Sequence, residues 1–149
     1  MSTFHTHIPF VELLGMELLK FEDGEAEIAL PLREELCNSW SVAHGGVTMT
    51  LLDVTMAHAA RSLDKGSDEG RSNGIGVVTI EMKTSFMRPG LGRLLAKGRR
   101  VHATASLAFC EASVFDEKGA LVAQASGTFK YLKGLPAGGR KILRNNASD

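Results

Sequence analysis

The sequence predicts an α+β domain, with one long central helix wrapped by a curved antiparallel sheet of five to six strands. Three observations predict it. From Gly45 to Ala60 the chain is apolar or small nearly all round, and apart from His58 its only acidic or basic side chain is Asp53. A helix without a charged face is buried on most sides, so a second layer has to cover it. A strand–turn–strand segment precedes this stretch and several strand-like runs follow it, which supplies that layer as hairpins rather than parallel crossovers.

Taken in chain order, residues Ile8 to Leu14 predict a short helix, with Pro9 tolerated in its first turn. "GMELLKFEDGEAEIALPL" reads as a hairpin about Asp23-Gly24, a dipeptide that readily takes positive φ. "REELCNSWSVA" is a polar connection into the long helix, Gly45 to about Ser62, which spans about 27 Å at the usual rise per residue. Thr48, Thr50 and Thr55 are mediocre helix formers, so packing rather than propensity must hold it. "DKGSDEGRSNGIG" has the composition of a mobile loop.

"VVTIEMKTSFMRPG" alternates. Its period of two predicts a strand with Val78, Ile80, Met82 and Phe86 on one face and Thr79, Glu81, Lys83 and Ser85 on the other. "GRLLAKGRRVHA", "ASLAFCEASVFD" and "ALVAQASGTFKYL" are further strands, the last two joined by a turn at "EKG". The chain therefore reads as a single domain over 1–149, with a core from about 10 to 132 and a Gly-rich tail, 133–149, expected to fray.

Bulk composition narrows the function. The 149 residues carry a formal net charge of zero, so no overall field recruits nucleic acid or an acidic membrane. Cys37 and Cys110 lie far apart and outside any C-x-x-C spacing, which argues against a disulfide framework or a zinc site and fits a reducing cytoplasm. No leader pattern is evident, and no run approaches the roughly 20 apolar residues that span a bilayer. His5-Thr6-His7 lacks a third ligand, so no metal site is expected there.

The chemistry concentrates at the mouth of the long helix. The first N–H groups of a helix lack internal partners and carry partial positive charge. With no Cβ at Gly45 or Gly46, a foreign oxygen can approach those donors closely, as a developing oxyanion requires. Asp53 lies eight residues further on, about 12 Å along the same axis. One chain cannot bring both groups to one carbonyl carbon. Two antiparallel copies of the helix could, if both groups serve one reaction, and that condition predicts a two-fold symmetric dimer with two composite sites.

The pattern Asn38-x5-His44-Gly45-Gly46-x6-Asp53 resembles hotdog-fold acyl-CoA thioesterases of the 4-hydroxybenzoyl-CoA thioesterase superfamily, in the branch that includes the phenylacetate-degradation thioesterases. "TSFMRPG" and "GALVAQASGTF" are similar to that branch's strand after the helix and its final strand. The resemblance spans most of residues 10–132. It implies a homodimer with a continuous sheet, often a dimer of dimers, acting on acyl-CoA with no cofactor beyond the coenzyme A of the substrate.

The resemblance also implies roles. Gly45 N–H polarises the thioester carbonyl, His44 and Asn38 support the loop or the thioester end, and Asp53 of the other subunit is general base or nucleophile. Thr79 matches a position that carries a hydroxyl positioning the water or carboxylate, although simple alternation puts it on the face opposite Val78 and Ile80. Coenzyme A contacts fall at Gly46, at Arg88, Pro89 and Gly90, at His102, Thr104 and Ser106, and at Lys130. The chain has "HATAS" where relatives often have Gly beside Lys or Arg, so phosphate contacts there pass to Thr104, Ser106, Arg99 or Arg100. A non-catalytic acyl-CoA-binding module of the same fold is the second class of function, although a pure binder needs no base at Asp53.

Overall fold

The computed structural model describes residues 4–62 and 76–132. The elements are α1 (Pro9–Leu14), β1 (Glu17–Glu22), β2 (Glu25–Pro31), a 3-10 turn (Glu34–Leu36), α2 (Gly45–Arg61), β3 (Gly76–Phe86), β4 (Arg93–Ala103), β5 (Leu107–Phe115) and β6 (Leu121–Leu132). The loop expected over 64–76 lies outside the described residues except for Gly76, and the tail 133–149 lies wholly outside them.

The first hairpin forms where the dipeptide predicts. Asp23 and Gly24 take φ of 56° and 75°, the two left-handed residues that match the twist of paired strands. All six strands join one antiparallel sheet in the order β1-β2-β4-β5-β6-β3. Helix α2 packs against every strand of it. Leu51, Leu52, Thr55, Met56 and Ala59 have no exposed surface, and Leu51, Leu52 and Met56 meet Ile28, Leu30, Leu94, Val114, Val122 and Phe129 in one core. The expected α+β hotdog arrangement is what the chain adopts, with six strands.

One expectation fails on β3. Val78 and Ile80 do not share an inward face with Met82; they are 42% and 54% exposed. Val77 and Met82 pack on the core instead, and Thr79 turns toward the helix, where its hydroxyl reaches Asp53. The β3–β6 register shifts between Thr79 and Glu81. One extra residue there reverses the parity of the strand, so a single alternation cannot run through it.

The two ends of α2 are closed differently. At its C-terminus the Arg100 guanidinium donates to the carbonyls of Ser62, at 2.9 Å, and Ala60, at 3.4 Å. The Tyr131 hydroxyl donates to the Ala60 carbonyl at 2.6 Å. Cationic and hydroxyl donors are what a negative helix end accepts best. Helix and sheet approach closely at Gly98, where a Cβ would lie 2.9 Å from Thr55 Cγ2 and 3.2 Å from its carbonyl oxygen. Gly98→Ala is expected to cost about 1–3 kcal/mol by overpacking, read as a lower denaturation midpoint with unchanged m.

His58 is buried on α2 between the rings of Phe4 and Phe21, at centroid distances of 5.1 and 5.5 Å. Its Nδ1–H donates to the Val54 carbonyl at 2.7 Å. Burial pushes its pKa down to about 4. The unfolded chain therefore takes up a proton near pH 6.5 that the folded chain refuses, and stability present above that pH is lost as pH falls toward 4. The loss from this group is about 3 kcal/mol across that window. A His58→Leu chain should show a flatter melting temperature between pH 6.5 and 4 than the wild type; parallel curves would remove His58 as the cause.

Candidate active site

The chain enters α2 through a tight loop. Cys37 and Ala43 form an isolated antiparallel bridge. Inside it Asn38 N–H donates to the Val42 carbonyl at 2.8 Å and Ser41 N–H to the Asn38 carbonyl at 3.0 Å. Asn38 Oδ1 accepts from Trp40 N–H at 2.9 Å and, more weakly, from Val42 N–H at 3.4 Å. Asparagine is suited to this, since its side chain mimics a backbone turn. The loop tip thus holds Trp40 with 83% of its surface exposed. Within the chain, the Asn38 carboxamide oxygen acts through the loop.

His44 is the N-cap of α2. Its Nδ1 accepts from Gly46 N–H at 2.9 Å, so in the neutral ring the proton sits on Nε2. The His44 carbonyl accepts from Val47 and Thr48 N–H at 2.9 and 3.1 Å. Gly46 lacks a Cβ for a local reason: one would come within 3.1 Å of that Nδ1. Gly45 N–H has no acceptor among the described residues. Beside it stands Phe86, whose ring lies 3.7 Å from where a Gly45 Cβ would be.

Eight residues on, half-buried Asp53 accepts through Oδ1 from the Thr79 hydroxyl at 2.7 Å. Strand β3 runs antiparallel to α2, so Phe86 lies at Gly45 and Thr79 at Asp53. The remaining predicted residues divide the same way. Arg88, Pro89 and Gly90 lie against the entry loop, since Ala43 N–H donates to the Gly90 carbonyl at 2.9 Å. Arg88 is tied there, its Nη1 donating to the Leu121 carbonyl at 2.8 Å.

His102, Thr104, Ser106 and Lys130 gather at the other end. Lys130 pairs in register with Val78 and with Leu107, and Ser106 carbonyl accepts from Tyr131 N–H. Thr104 Oγ1 accepts from Leu107 N–H at 3.0 Å and from Ser106 N–H at 3.3 Å, which shapes the turn. His102 stacks on Phe109. The neighbouring arginines are otherwise engaged: Arg99 pairs with Glu111 on the outer face, and Arg100 holds the end of α2.

The predicted residues therefore fall into two groups along α2 and β3. Asn38, His44, Gly45 and Gly46 gather with Arg88, Pro89 and Gly90; Asp53 gathers with Thr79, at the end that holds the β4–β5 turn. Two grooves of the chain, of about 550 and 560 Å³, include neither Gly45 nor Asp53. Among the described residues no three His, Cys, Asp or Glu side chains are grouped to hold a metal ion, and no helix is long and apolar enough to cross a membrane. The Thr79 hydroxyl stands at the Asp53 carboxylate, as the resemblance implied, whereas the sequence reading missed the Phe86 contact with Gly45 and the helix-side setting of Thr84. The β3 parity change hid both, and no residue pattern marks that bulge.

The thioesterase superfamily's sequence signature matches residues 41–123. The chain is 29% identical over 135 residues to the medium/long-chain acyl-CoA thioesterase YigI of Escherichia coli K12, covering 85% of this chain and 87% of that protein. Among solved structures, a conserved protein of Pseudomonas aeruginosa is 32% identical with a TM-score of 0.74, covering 86% of this chain and 97% of that one. A variant of the phenylacetic acid degradation protein PaaI of Thermus thermophilus is 30% identical with a TM-score of 0.70, covering 84% and 100%. With more than half its length inside that signature and the helix-and-sheet architecture to match, the chain belongs to the thioesterase superfamily and is a hotdog-fold thioester hydrolase.

Proposed function

We propose that the protein hydrolyses acyl-CoA thioesters to free acid and coenzyme A in composite sites, each shared by two copies of the chain. The observation that carries this is the separation of the half-sites. An unclaimed Gly45 N–H and an Asp53 carboxylate oriented by Thr79 lie on one helix, about 12 Å apart along its axis. A two-fold axis that sets two α2 helices antiparallel brings each donor to the other chain's carboxylate.

In that site the Gly45 N–H and the positive end of α2 hold the thioester oxygen as it gains charge. Asp53 of the partner either takes a proton from an attacking water or adds to the carbonyl itself as an anhydride that water then opens. Coenzyme A leaves as the thiol. His44 keeps Gly46 N–H out of the reaction and so singles out Gly45 as the donor. The coenzyme A moiety runs from Gly46, Arg88, Pro89 and Gly90 of one chain to His102, Thr104, Ser106 and Lys130 of another. The scheme takes no metal and no further cofactor. We extend the reading to a homodimer that pairs into a dimer of dimers, and to the cytoplasm, where the free thiols of Cys37 and Cys110 would stay reduced.

Asp53→Ala should cut kcat by about 10²–10⁴-fold while the variant still folds and binds acyl-CoA, measured by release of free thiol from aliphatic and aromatic acyl-CoAs. Undiminished release would take Asp53 out of the mechanism. Gly45→Pro removes only the donor, because proline is accepted at the first helical position and His44 already has the extended ψ of 136° that precedes a proline. Each variant alone should be inactive. Refolded together, they should recover up to about a quarter of wild-type activity, since half the dimers are mixed and each mixed dimer has one intact site. No recovery from well-folded mixed dimers would mean that each chain works alone.

A further inference from the structure

Nothing among the described residues requires a glycine at position 45. At Gly46 a Cβ would crowd the His44 ring, and at Gly90 one would come within 3.0 Å of Ala43 Cβ. At Gly45 a Cβ would meet only the Phe86 ring, at 3.7 Å, an ordinary contact distance, and the backbone there is not left-handed. Neither packing nor conformation asks for the missing carbon. The space it leaves suits a molecule that comes to the Gly45 N–H from outside the chain, and such a molecule passes within reach of the Phe86 ring.

Phe86 shares the inward face of β3 with Met82, which packs on the core, and with Thr84, whose Oγ1 is buried. It stands against Gly45 on that side, yet 53% of its surface is exposed. A large apolar side chain left open beside a polar donor is what a ligand pocket presents. Met49 adds to it. It lies one helical turn beyond Gly45 on the same face of α2 and is 36% exposed. Helical side chains lean back toward the N-terminus, here toward the donor. Phe86 supplies a rigid wall and Met49 an adaptable one.

An acyl-CoA has one polar arm and one apolar arm. The polar arm leaves by way of the entry loop, where Arg88, Pro89 and Gly90 lie, so the acyl arm falls on the inner side, toward Phe86 and Met49. With its oxygen about 2.9 Å from Gly45 N, the thioester places the first carbon of the acyl group only two bonds further on. The ring beside Gly45 therefore stands against that carbon rather than against the tail. We propose that Phe86 is a specificity-determining residue of the composite site, its ring confining the carbon next to the thioester carbonyl. Acyl groups that begin with an unbranched CH2, straight-chain or arylacetyl, are accepted; those branched or aromatic at that carbon are turned away. The inference rests on the role given above to Gly45 and adds the substrate class.

Octanoyl-CoA and 2-methyloctanoyl-CoA differ by one methyl at that carbon, and phenylacetyl-CoA and benzoyl-CoA differ by the CH2 itself. The wild type should favour the first of each pair in kcat/KM by about tenfold or more, the usual effect of one carbon too many in a fitted pocket. Phe86→Ala should bring both ratios down about tenfold and Phe86→Leu part of the way, while Phe86→Tyr keeps them. Each ratio is taken within one preparation, so a variant that folds poorly lowers its two rates alike and leaves the ratio readable. Wild-type ratios near one overturn the inference. So do ratios unmoved in Phe86→Ala and Phe86→Leu, including an equal fall in all four rates, which would put the ring on the thiol side or in packing alone. Failure of the wild type to hydrolyse any of the four esters would instead bring down the acyl-CoA reading itself.

Discussion

A buried helix must have its terminal peptide groups satisfied, and the way α2 meets that demand shapes the rest of the molecule. Its C-terminal carbonyls are closed by Arg100 and Tyr131, side chains from the two strands β4 and β6. Its N-terminus is closed by its own cap residue, because the His44 ring turns back onto Gly46 N–H. The cap reaches one donor and leaves the one before it, at Gly45. A chain that seals one end of its central helix from the sheet and the other from a short loop has a positive pole that only the loop side can expose.

The bulge in β3 works in the same direction. Ordinary alternation would have sent Thr79 outward with Glu81 and left Asp53 without its hydroxyl partner. The extra residue lets one strand present Val77 and Thr79 inward at one end and Met82, Thr84 and Phe86 inward at the other. Its cost is that Val78 and Ile80 are turned out to solvent along the sheet edge. Polar chemistry inside and apolar exposure outside are therefore two results of one change in backbone register.

The fold was legible because its signals are local and strong. An apolar helix with no charged face can only be central, and Asp23-Gly24 can hardly do other than turn. The spacing of Gly45 and Asp53 was legible as well, since helical rise is a constant and converts a count of residues into a distance. What could not be read was whatever depends on a break in period. Val78, Ile80, Met82 and Phe86 look like one face in the string, yet the first two and the last two lie on opposite faces of the strand. The sequence likewise left Asn38 and His44 open between substrate and loop; in the structure Asn38 Oδ1 and His44 Nδ1 each accept from a backbone N–H group. Arg100 looked like an anion contact, and only tertiary packing shows it serving as a helix cap.

The chain has one tryptophan, and it is Trp40, held out at the tip of the loop that leads into Gly45. An indole so open to water emits at long wavelength and is readily quenched. Any body that settles over that loop, an acyl chain or a neighbouring subunit, would shift the colour and brightness of the whole protein's fluorescence. The molecule carries its own optical reporter on the loop that enters α2 at Gly45, with no second indole to compete with it.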